Sequence, residues 1–164
     1  MREKLEKSFV EYITVNQRLV HKICRIYTDN ETDHEDLFQE IILQLWKSFH
    51  GYRGEAKFST WMYRIALNTA ISLFRKSGKS VQVQYNIDLT SIKIEHEEYK
   101  DDEEDISNMY RMIHQLSDIE KALIMMYLDD KSYREIGDIL GISEGNARVK
   151  MNRAKNRLKS LIKK

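Results

Sequence analysis

The sequence predicts an all-α fold of two small helical domains: an N-terminal helical bundle over residues 1–80 and a four-helix C-terminal domain over residues 106–164. A flexible linker over residues 81–105 is expected to join them. Leu, Ile, Lys, Glu and Arg dominate the composition, and these residues together favour helices over strands. The 164 residues include no proline and only six glycines, so residues that interrupt helices are scarce. Apolar residues also recur at helical spacing on both sides of the linker.

The N-terminal domain is predicted to contain three helices. Residues 5–27 repeat apolar residues at helical spacing. Asp33 is a suitable N-cap for the second helix, because a short acceptor side chain can accept from otherwise unpaired backbone N–H groups. The apolar face of this helix comprises Leu37, Phe38, Ile41, Ile42, Leu45 and Phe49. Ser59 or Thr60 is expected to cap a third helix, which ends near Ser77.

The C-terminal domain is predicted to contain four helices separated by capping motifs. The first covers about residues 106–115. The segments "SDIE" at 117–120 and "SYRE" at 132–135 are capping boxes, with serine at the N-cap and glutamate three residues later. Gly141 then supplies a turn, and Ser143 is expected to cap the final helix.

Charge is segregated along the chain, although the net formal charge is only +1. Residues 51–80 contain six basic residues and one acidic residue, and residues 131–164 contain ten basic and three acidic residues. Residues 81–105 contain nine acidic and two basic residues and lose helical periodicity. We interpret this segment as an extended acidic linker between the domains, and a solvated spacer is the alternative.

Several classes of protein are disfavoured. The single cysteine, Cys24, excludes an internal disulfide and leaves no cysteine cluster for zinc. No segment reaches the roughly 18 apolar residues of a membrane span, and the N-terminus is too charged for a signal peptide. No phosphate-binding loop or nucleophile motif is present, and no metal-binding spacing links the five histidines, His21, His34, His50, His96 and His114. We therefore expect a cytoplasmic protein without cofactor, metal, membrane insertion or enzymatic activity, and a hydrolytic enzyme remains the remote alternative.

The last two helices form a helix-turn-helix pattern: a short helix, a turn at Gly141 and a capped basic helix. At about 100° per residue, one face of the final helix contains Ala147, Met151, Ala154, Leu158 and Leu161. The opposite face contains Val149, Asn152, Arg153 and Asn156, flanked by Arg148 and Lys159. Donors of these types contact base edges and phosphates, so the pattern predicts DNA binding. A basic solvated helix without a ligand is the alternative.

Two segments resemble a known family. "SYREIGDILGISEGNARVKMNRAKNRLK" resembles the promoter-reading C-terminal domain of bacterial sigma factors. "DHEDLFQEIILQLWKSFHGYRGEAKFSTWMYRIALNTAISLFRK" resembles the second conserved region of the extracytoplasmic-function (group IV, sigma-70 superfamily) type. The resemblance covers about residues 5–79 and 106–162. It implies a promoter-specificity subunit that binds RNA polymerase core, recognises the minus-ten and minus-thirty-five elements and helps to open the DNA.

The resemblance also implies three sets of site residues. Docking on the clamp coiled coil of the polymerase core is expected to involve Asp36, Gln39, Glu40, Leu43 and Trp46. Single-stranded minus-ten DNA is expected to contact Phe58, Tyr63, Arg64, Asn68, Arg75 and Lys76, whereas Trp61 is expected in the core. Duplex minus-thirty-five DNA is expected to contact Arg148, Val149, Lys150, Asn152 and Arg153, with Ser132 and Tyr133 nearer the DNA backbone. The alternative for the docking helix is an acidic solvated face with Trp46 in the core.

The sequence departs from the usual family pattern at four positions. Asn146, Ala147, Val149 and Gly137 stand where Thr, Val, Ser and Ala are usual, so the resemblance does not fix the base preference. The resemblance also implies an anti-sigma factor as a partner. Because each basic patch is small and the acidic segments oppose it, we expect negligible promoter binding without core polymerase. The alternative function is an ordinary helix-turn-helix regulator with an N-terminal sensor or dimerisation domain, which would bind DNA as a dimer.

Overall fold

The computed structural model describes residues 1–55, 57–75 and 104–163. Within these ranges the chain forms seven helices and no strand, which confirms the all-α prediction. The helices are α1 (Arg2–Tyr27), α2 (Glu31–Phe49), α3 (Phe58–Arg75), α4 (Glu104–Ile113), α5 (Asp118–Leu128), α6 (Tyr133–Leu140) and α7 (Glu144–Ile162).

Some predictions fall outside the described residues. These are the linker over 81–103, Lys76, and the end of the third helix near Ser77. Arg75 is the last residue of α3, and its side chain is likewise outside the description. Helix α4 begins at Glu104, two residues before the predicted start of the first C-terminal helix near residue 106.

The first three helices pack against one another as a bundle. Phe9 and Ile13 of α1 meet the predicted apolar face of α2, and all six members of that face are buried. Met62 and Leu67 of α3 close the same core. The helical periodicity of the sequence therefore identified the core face of α2 correctly.

Two predicted helix starts were wrong. The N-cap of α2 is Asn30, whose side-chain Oδ1 accepts from the backbone N–H of Asp33 at 2.8 Å. Asn and Asp are about equally good N-caps, so composition alone did not separate these two positions. The third helix begins at Phe58, before Ser59, because the backbone N–H of Trp61 already bonds to the carbonyl oxygen of residue 57 at 3.1 Å.

The predicted capping boxes of the C-terminal half are confirmed. Ser117 Oγ accepts from the backbone N–H of Glu120 at 3.3 Å, and the Glu120 carboxylate accepts from the backbone N–H of Ser117 at 3.4 Å. Ser132 and Glu135 make the same reciprocal pair, with both distances 3.1 Å. These caps fix where α5 and α6 begin.

Helix α5 lies at the centre of the molecule. Its residues 122–126 are buried consecutively, because α7 covers one side of the helix while α1 and α3 contact another. A helix that is apolar on most of its circumference is expected only where neighbours surround it. The two halves of the chain are therefore packed together through α5.

The turn between α6 and α7 depends on two glycines. Gly141 has φ +71°, a left-handed conformation that favours glycine, and it ends α6. A Cβ atom at Gly137 would lie 2.7 Å from the carbonyl oxygen of Ile142, whose N–H bonds to the Gly137 carbonyl oxygen at 3.0 Å. Glycine at 137, where the family pattern has Ala, is thus required by the close approach of the turn to α6.

Gly137→Ala should destabilise the protein by about 1–3 kcal/mol, because the new methyl group overlaps backbone atoms that cannot rotate away. Gly145→Ala is the matched control: nothing lies within 4 Å of its Cβ position, so we expect a gain of about 0.4–1 kcal/mol. Urea unfolding of both variants measures the difference. Equal midpoints for the two variants would contradict the proposed close approach.

A buried histidine pair joins α1 to α2. His21 Nδ1 and His34 Nε2 are 3.0 Å apart, and the His21 ring stacks on Phe38 with 4.5 Å between centroids. Burial, followed by the proximity of His21 and Arg25, lowers the pKa of His34 to about 4. Thirteen residues separate the two histidines, so no helical spacing in the sequence indicates that they meet.

The His34 environment should weaken the fold in acid. Because the pKa of His34 is about 4 in the folded protein and about 6.5 in the unfolded chain, the unfolded chain takes up the proton first. Stability is present above about pH 6.5 and is lost as the pH falls from about 6.5 towards 4. In urea unfolding across this interval, His34→Gln should lose less stability than the wild type, because glutamine does not titrate. If the unfolding free energies of the wild type and His34→Gln fall equally between pH 6.5 and 4, other groups cause the loss of stability.

Candidate nucleic-acid interface

The outward face of α7 presents hydrogen-bond donors. Arg148, Asn152 and Arg153 are exposed, and Val149 is 48% exposed. The opposite, small-residue face of the helix is buried against α5 and α6, which fixes the orientation of α7. Ser143 Oγ accepts from the backbone N–H of residue 146 at 3.1 Å and starts the helix where the sequence predicted.

Two of the predicted minus-thirty-five residues lie close together, one on each helix of the helix-turn-helix. The Arg148 guanidinium lies 5.1 Å from the centroid of the Tyr133 ring and 4.0 Å from the Glu144 carboxylate. Ser132 is exposed at the N-cap of α6, and Lys150 is half-buried. The structure therefore places an arginine and a tyrosine from both helices of the motif side by side.

Two other basic side chains of α7 are held by α5. Lys155 Nζ lies 3.9 Å from the centroid of the Tyr127 ring, and Arg157 is 3.4 Å from the Glu120 carboxylate. Some of the basic residues of α7 therefore have partners within the protein. The charge of α7 is thus divided between contacts with α5 and an exposed face near its N-terminal half.

The predicted minus-ten residues on α3 do not share one environment. Asn68 is exposed and Phe58 is half-buried, whereas Tyr63 is only 1% exposed. The Tyr63 hydroxyl donates to Asp129 Oδ2 at 2.9 Å, and the Arg64 guanidinium, although exposed, donates to the carbonyl oxygen of residue 138. Tyr63 and Arg64 therefore contact the C-terminal half in this structure, and the Tyr63 ring is not accessible to a base.

An aromatic cluster surrounds the start of α3. The Phe58 ring stacks on Tyr12 with 4.5 Å between centroids, and Tyr52 and Trp61 lie 5.4 and 5.3 Å from it. Trp61 is half-buried and packs against the core, close to the environment that its spacing predicted. Sequence reasoning missed Tyr12, which is 45% exposed, because it lies on α1 and no spacing rule connects it to Phe58.

The predicted docking residues on α2 lie mainly at the surface. Asp36 and Gln39 are exposed, and Glu40 and Leu43 are half-buried. Trp46 differs, because it is 7% exposed and its ring packs edge-on against Phe9 with 5.1 Å between centroids. The expectation of Trp46 as a surface anchor is therefore not met in this structure, and the alternative of a core tryptophan describes it better.

The part of the chain that the structure describes contains neither a membrane-spanning helix nor a metal-binding cluster. No helix there is both long and apolar enough to cross a membrane. Among the same residues, no group of three or more His, Cys, Asp or Glu side chains is arranged to hold a metal ion.

Each of the two helical halves matches a known protein-family model. The family model for Sigma-70 region 2 matches residues 12–80, and the model for Sigma-70, region 4 matches residues 106–158. The chain belongs to the sigma-70 family. Sigma factors of this family are transcription initiation factors that recognise promoters for RNA polymerase. The first match includes helices α2 and α3, and the second includes α5 and α6. This membership favours a sigma factor over a helix-turn-helix regulator with an unrelated N-terminal sensor domain.

Relatives of this sigma factor are of the extracytoplasmic-function (ECF) type. It is 29% identical over 177 residues to the ECF RNA polymerase sigma-E factor of Escherichia coli (strain K12), covering 97% of this chain and 91% of the relative. It is 25% identical over 169 residues to the ECF RNA polymerase sigma factor SigW of Bacillus subtilis (strain 168), covering 96% and 90%.

Solved structures share the fold of this sigma factor. The sigma factor RpoE of Bartonella quintana, solved with the anti-sigma factor NepR, superposes with a TM-score of 0.69 at 19% identity and covers 96% of this chain and 98% of that one. CnrH, solved with the cytosolic domain of CnrY, gives a TM-score of 0.66 at 17% identity, covering 96% and 88%.

Proposed function

We propose that this sigma factor contacts the promoter through two separate surfaces. The exposed face of α7 would bind the minus-thirty-five duplex, and α3 with the loop before it would bind the single-stranded minus-ten element. The observation that most supports the proposal is the exposure of Arg148, Asn152 and Arg153 on one face of a capped helix within a helix-turn-helix.

The dimensions of α7 suit the major groove. An α-helix with its side chains is about 10–12 Å across, and the major groove of B-DNA is about 12 Å wide. Arg153 and Asn152 have the donor groups that distinguish guanine and adenine edges, and Val149 offers an apolar contact for a thymine methyl group. Tyr133 and Ser132 lie at the start of α6, where the first helix of such a motif crosses the DNA backbone.

Opening of the minus-ten element needs no nucleotide hydrolysis in this proposal. Unstacking one base step costs about 1.4 kcal/mol on average, and stacking a free base on an aromatic side chain returns about 1–3 kcal/mol. A few captured bases therefore stabilise a short bubble. The cluster around Phe58 supplies aromatic rings, and Asn68 supplies an exposed polar group on the same helix.

Docking on polymerase would use the exposed part of α2. Asp36, Gln39, Glu40 and Leu43 form an acidic surface with one apolar side chain, which suits a basic protein partner better than DNA. We place the protein in the cytoplasm, where polymerase and chromosome are. We propose an anti-sigma factor as a further partner, because the neighbour RpoE was solved in complex with the anti-sigma factor NepR.

A non-enzymatic role is part of the proposal. The one thiol, Cys24, is buried, and burial raises its pKa well above the usual range, so it stays protonated and is a poor nucleophile. The two histidines that meet, His21 and His34, are buried in the interior of the bundle.

The decisive test of the function is run-off transcription with bacterial core polymerase. Transcripts from promoters recognised by this protein should appear only when it is added to the core. Transcription that is the same with and without the protein would refute the proposed function.

Arg153→Ala should weaken recognition of the minus-thirty-five element by about 5- to 150-fold, since one good contact to a base edge is worth about 1–3 kcal/mol. The loss should appear in run-off transcription and should disappear on promoters whose minus-thirty-five element is already mutated. Arg111→Ala is the matched control, because it removes the same charge from an exposed position on α4. Equal losses for the two variants would point to general electrostatics instead of base recognition.

A further inference from the structure

One acidic residue of the C-terminal half binds two side chains of the N-terminal half. Asp129 is the C-cap of α5, and its Oδ1 accepts from Lys22 Nζ at 3.1 Å while its Oδ2 accepts from the Tyr63 hydroxyl at 2.9 Å. The neighbouring Arg64 donates to the backbone carbonyl of Asp138. Three donors on α1 and α3 are thus all satisfied by oxygen atoms of the C-terminal half.

Further contacts hold the same two halves together. The Tyr27 hydroxyl donates to the carbonyl oxygen of Asp118 at 2.6 Å, and His114 Nε2 lies 3.0 Å from the carbonyl oxygen of Arg25. The Arg25 guanidinium also lies 4.1 Å from the centroid of the Tyr110 ring. The arrangement around Asp129 therefore belongs to a continuous interface.

Lys22, Tyr63 and Arg64 all present hydrogen-bond donors, as a surface that binds anions does. Burial, together with the negative charge of Asp129, raises the pKa of the Tyr63 phenol, so the phenol is protonated and acts as the donor. Lys22 is a cation whose side chain is 54% exposed, and the Arg64 guanidinium is permanently charged. A DNA phosphate offers acceptor oxygens to a cation and a hydroxyl in the same way as the Asp129 carboxylate does.

We propose that Lys22, Tyr63 and Arg64 form one binding surface for the phosphates of single-stranded DNA, and that Asp129 occupies this surface in the free protein. We call the contacts of Asp129 with Lys22 and Tyr63 the Asp129 clasp. The inference rests on the proposed function and adds to it: Lys22, on α1, becomes a DNA-binding residue that sequence patterns did not indicate. It also gives the weak DNA affinity expected of the free protein a specific structural cause.

The closed arrangement and promoter binding exclude each other. Elements centred about 25 base pairs apart are separated by about 85 Å along B-DNA, at 3.4 Å per base pair. In the closed structure α6 of the helix-turn-helix packs directly against α3, the proposed minus-ten helix. The two halves must therefore separate before both elements are bound, and separation breaks the Asp129 clasp and frees Lys22, Tyr63 and Arg64 together.

The test uses the full chain without polymerase and a fluorescein-labelled single-stranded oligonucleotide, with binding measured by fluorescence anisotropy at low salt. Asp129→Asn removes the charge of the clasp and should raise the affinity about 3- to 10-fold. Asp130→Asn is the matched control: it removes the same charge from the adjacent, exposed residue, whose φ of +56° asparagine tolerates well. We expect Asp130→Asn to change the affinity less than about 2-fold.

Lys22→Ala tests the proposed ligand directly. In the wild type it should change the affinity little, because Lys22 is held by Asp129. In the Asp129→Asn background it should remove most of the gain, so the two substitutions are not additive. If Asp129→Asn does not fold, as judged by circular dichroism, Asp129→Ser removes the same carboxylate while keeping all three proposed DNA ligands, and it should raise the affinity in the same direction.

Three outcomes overturn the proposal: equal effects of Asp129→Asn and Asp130→Asn, no gain from Asp129→Asn, or an effect of Lys22→Ala that is the same in both backgrounds. These measurements do not involve polymerase. Failure of run-off transcription would therefore reject the proposed function separately, while failure here would leave transcription by the wild type unaffected.

Discussion

The packing of α3 against α5 and α6 is the contact on which the rest of this structure depends, because α3 contacts helices of both halves of the chain. One side of α3 closes the N-terminal bundle through Met62 and Leu67, and another side meets the C-terminal half. The consecutive buried residues of α5, from Ala122 to Met126, show the same dependence. Each Å² of apolar surface removed from water contributes about 25 cal/mol, so the apolar surface that α5 buries against α1 and α3 contributes to the attraction between the halves. The polar contacts of Asp129 then fix their alignment, since a buried donor or acceptor without a partner is costly.

Local features of this fold could be predicted from the sequence, and features made by distant segments could not. The capping boxes at Ser117 and Ser132 were predictable because both partners lie within one turn. The buried faces of α2 and α7 were predictable because helical periodicity is a local property.

The burial of Tyr63 could not be predicted from the sequence. Its position on α3 was consistent with a DNA contact, but the sequence does not reveal that its hydroxyl donates to Asp129, 66 residues later. The burial of Trp46 against Phe9 could not be predicted for the same reason. Helical periodicity placed Trp46 at the margin of the apolar face of α2, and only the packing of α1 determines that its ring is covered.

The same limits apply to the candidate DNA surfaces. Exposure of Arg148, Asn152 and Arg153 followed from the small residues on the opposite face of α7, which bring that face against its neighbours. No comparable pattern exists for Lys22, which is an ordinary lysine on an amphipathic helix until the fold brings it to Asp129. Surfaces built on one helix are therefore accessible to sequence reasoning, whereas a surface shared by α1 and α3 requires the tertiary structure.

The two proposed DNA surfaces are unequal in the closed structure, and under the proposal this inequality orders the steps of promoter recognition. The face of α7 is exposed, while Tyr63 is covered and Arg64 is engaged. The proposed docking residues Asp36 and Gln39 are also exposed, on a helix that packs against α1 and α3. Under the proposed docking, polymerase would therefore engage the closed protein through α2 before any DNA is bound. A partner shifts an equilibrium only by its difference in affinity for the two states. Core polymerase would thus have to bind the open protein more tightly than the closed one, which requires contacts with both halves at a separation that the closed structure does not allow. Docking through α2 alone would leave the Asp129 clasp in place, and the second contact, with the C-terminal half, would supply the free energy that opens it.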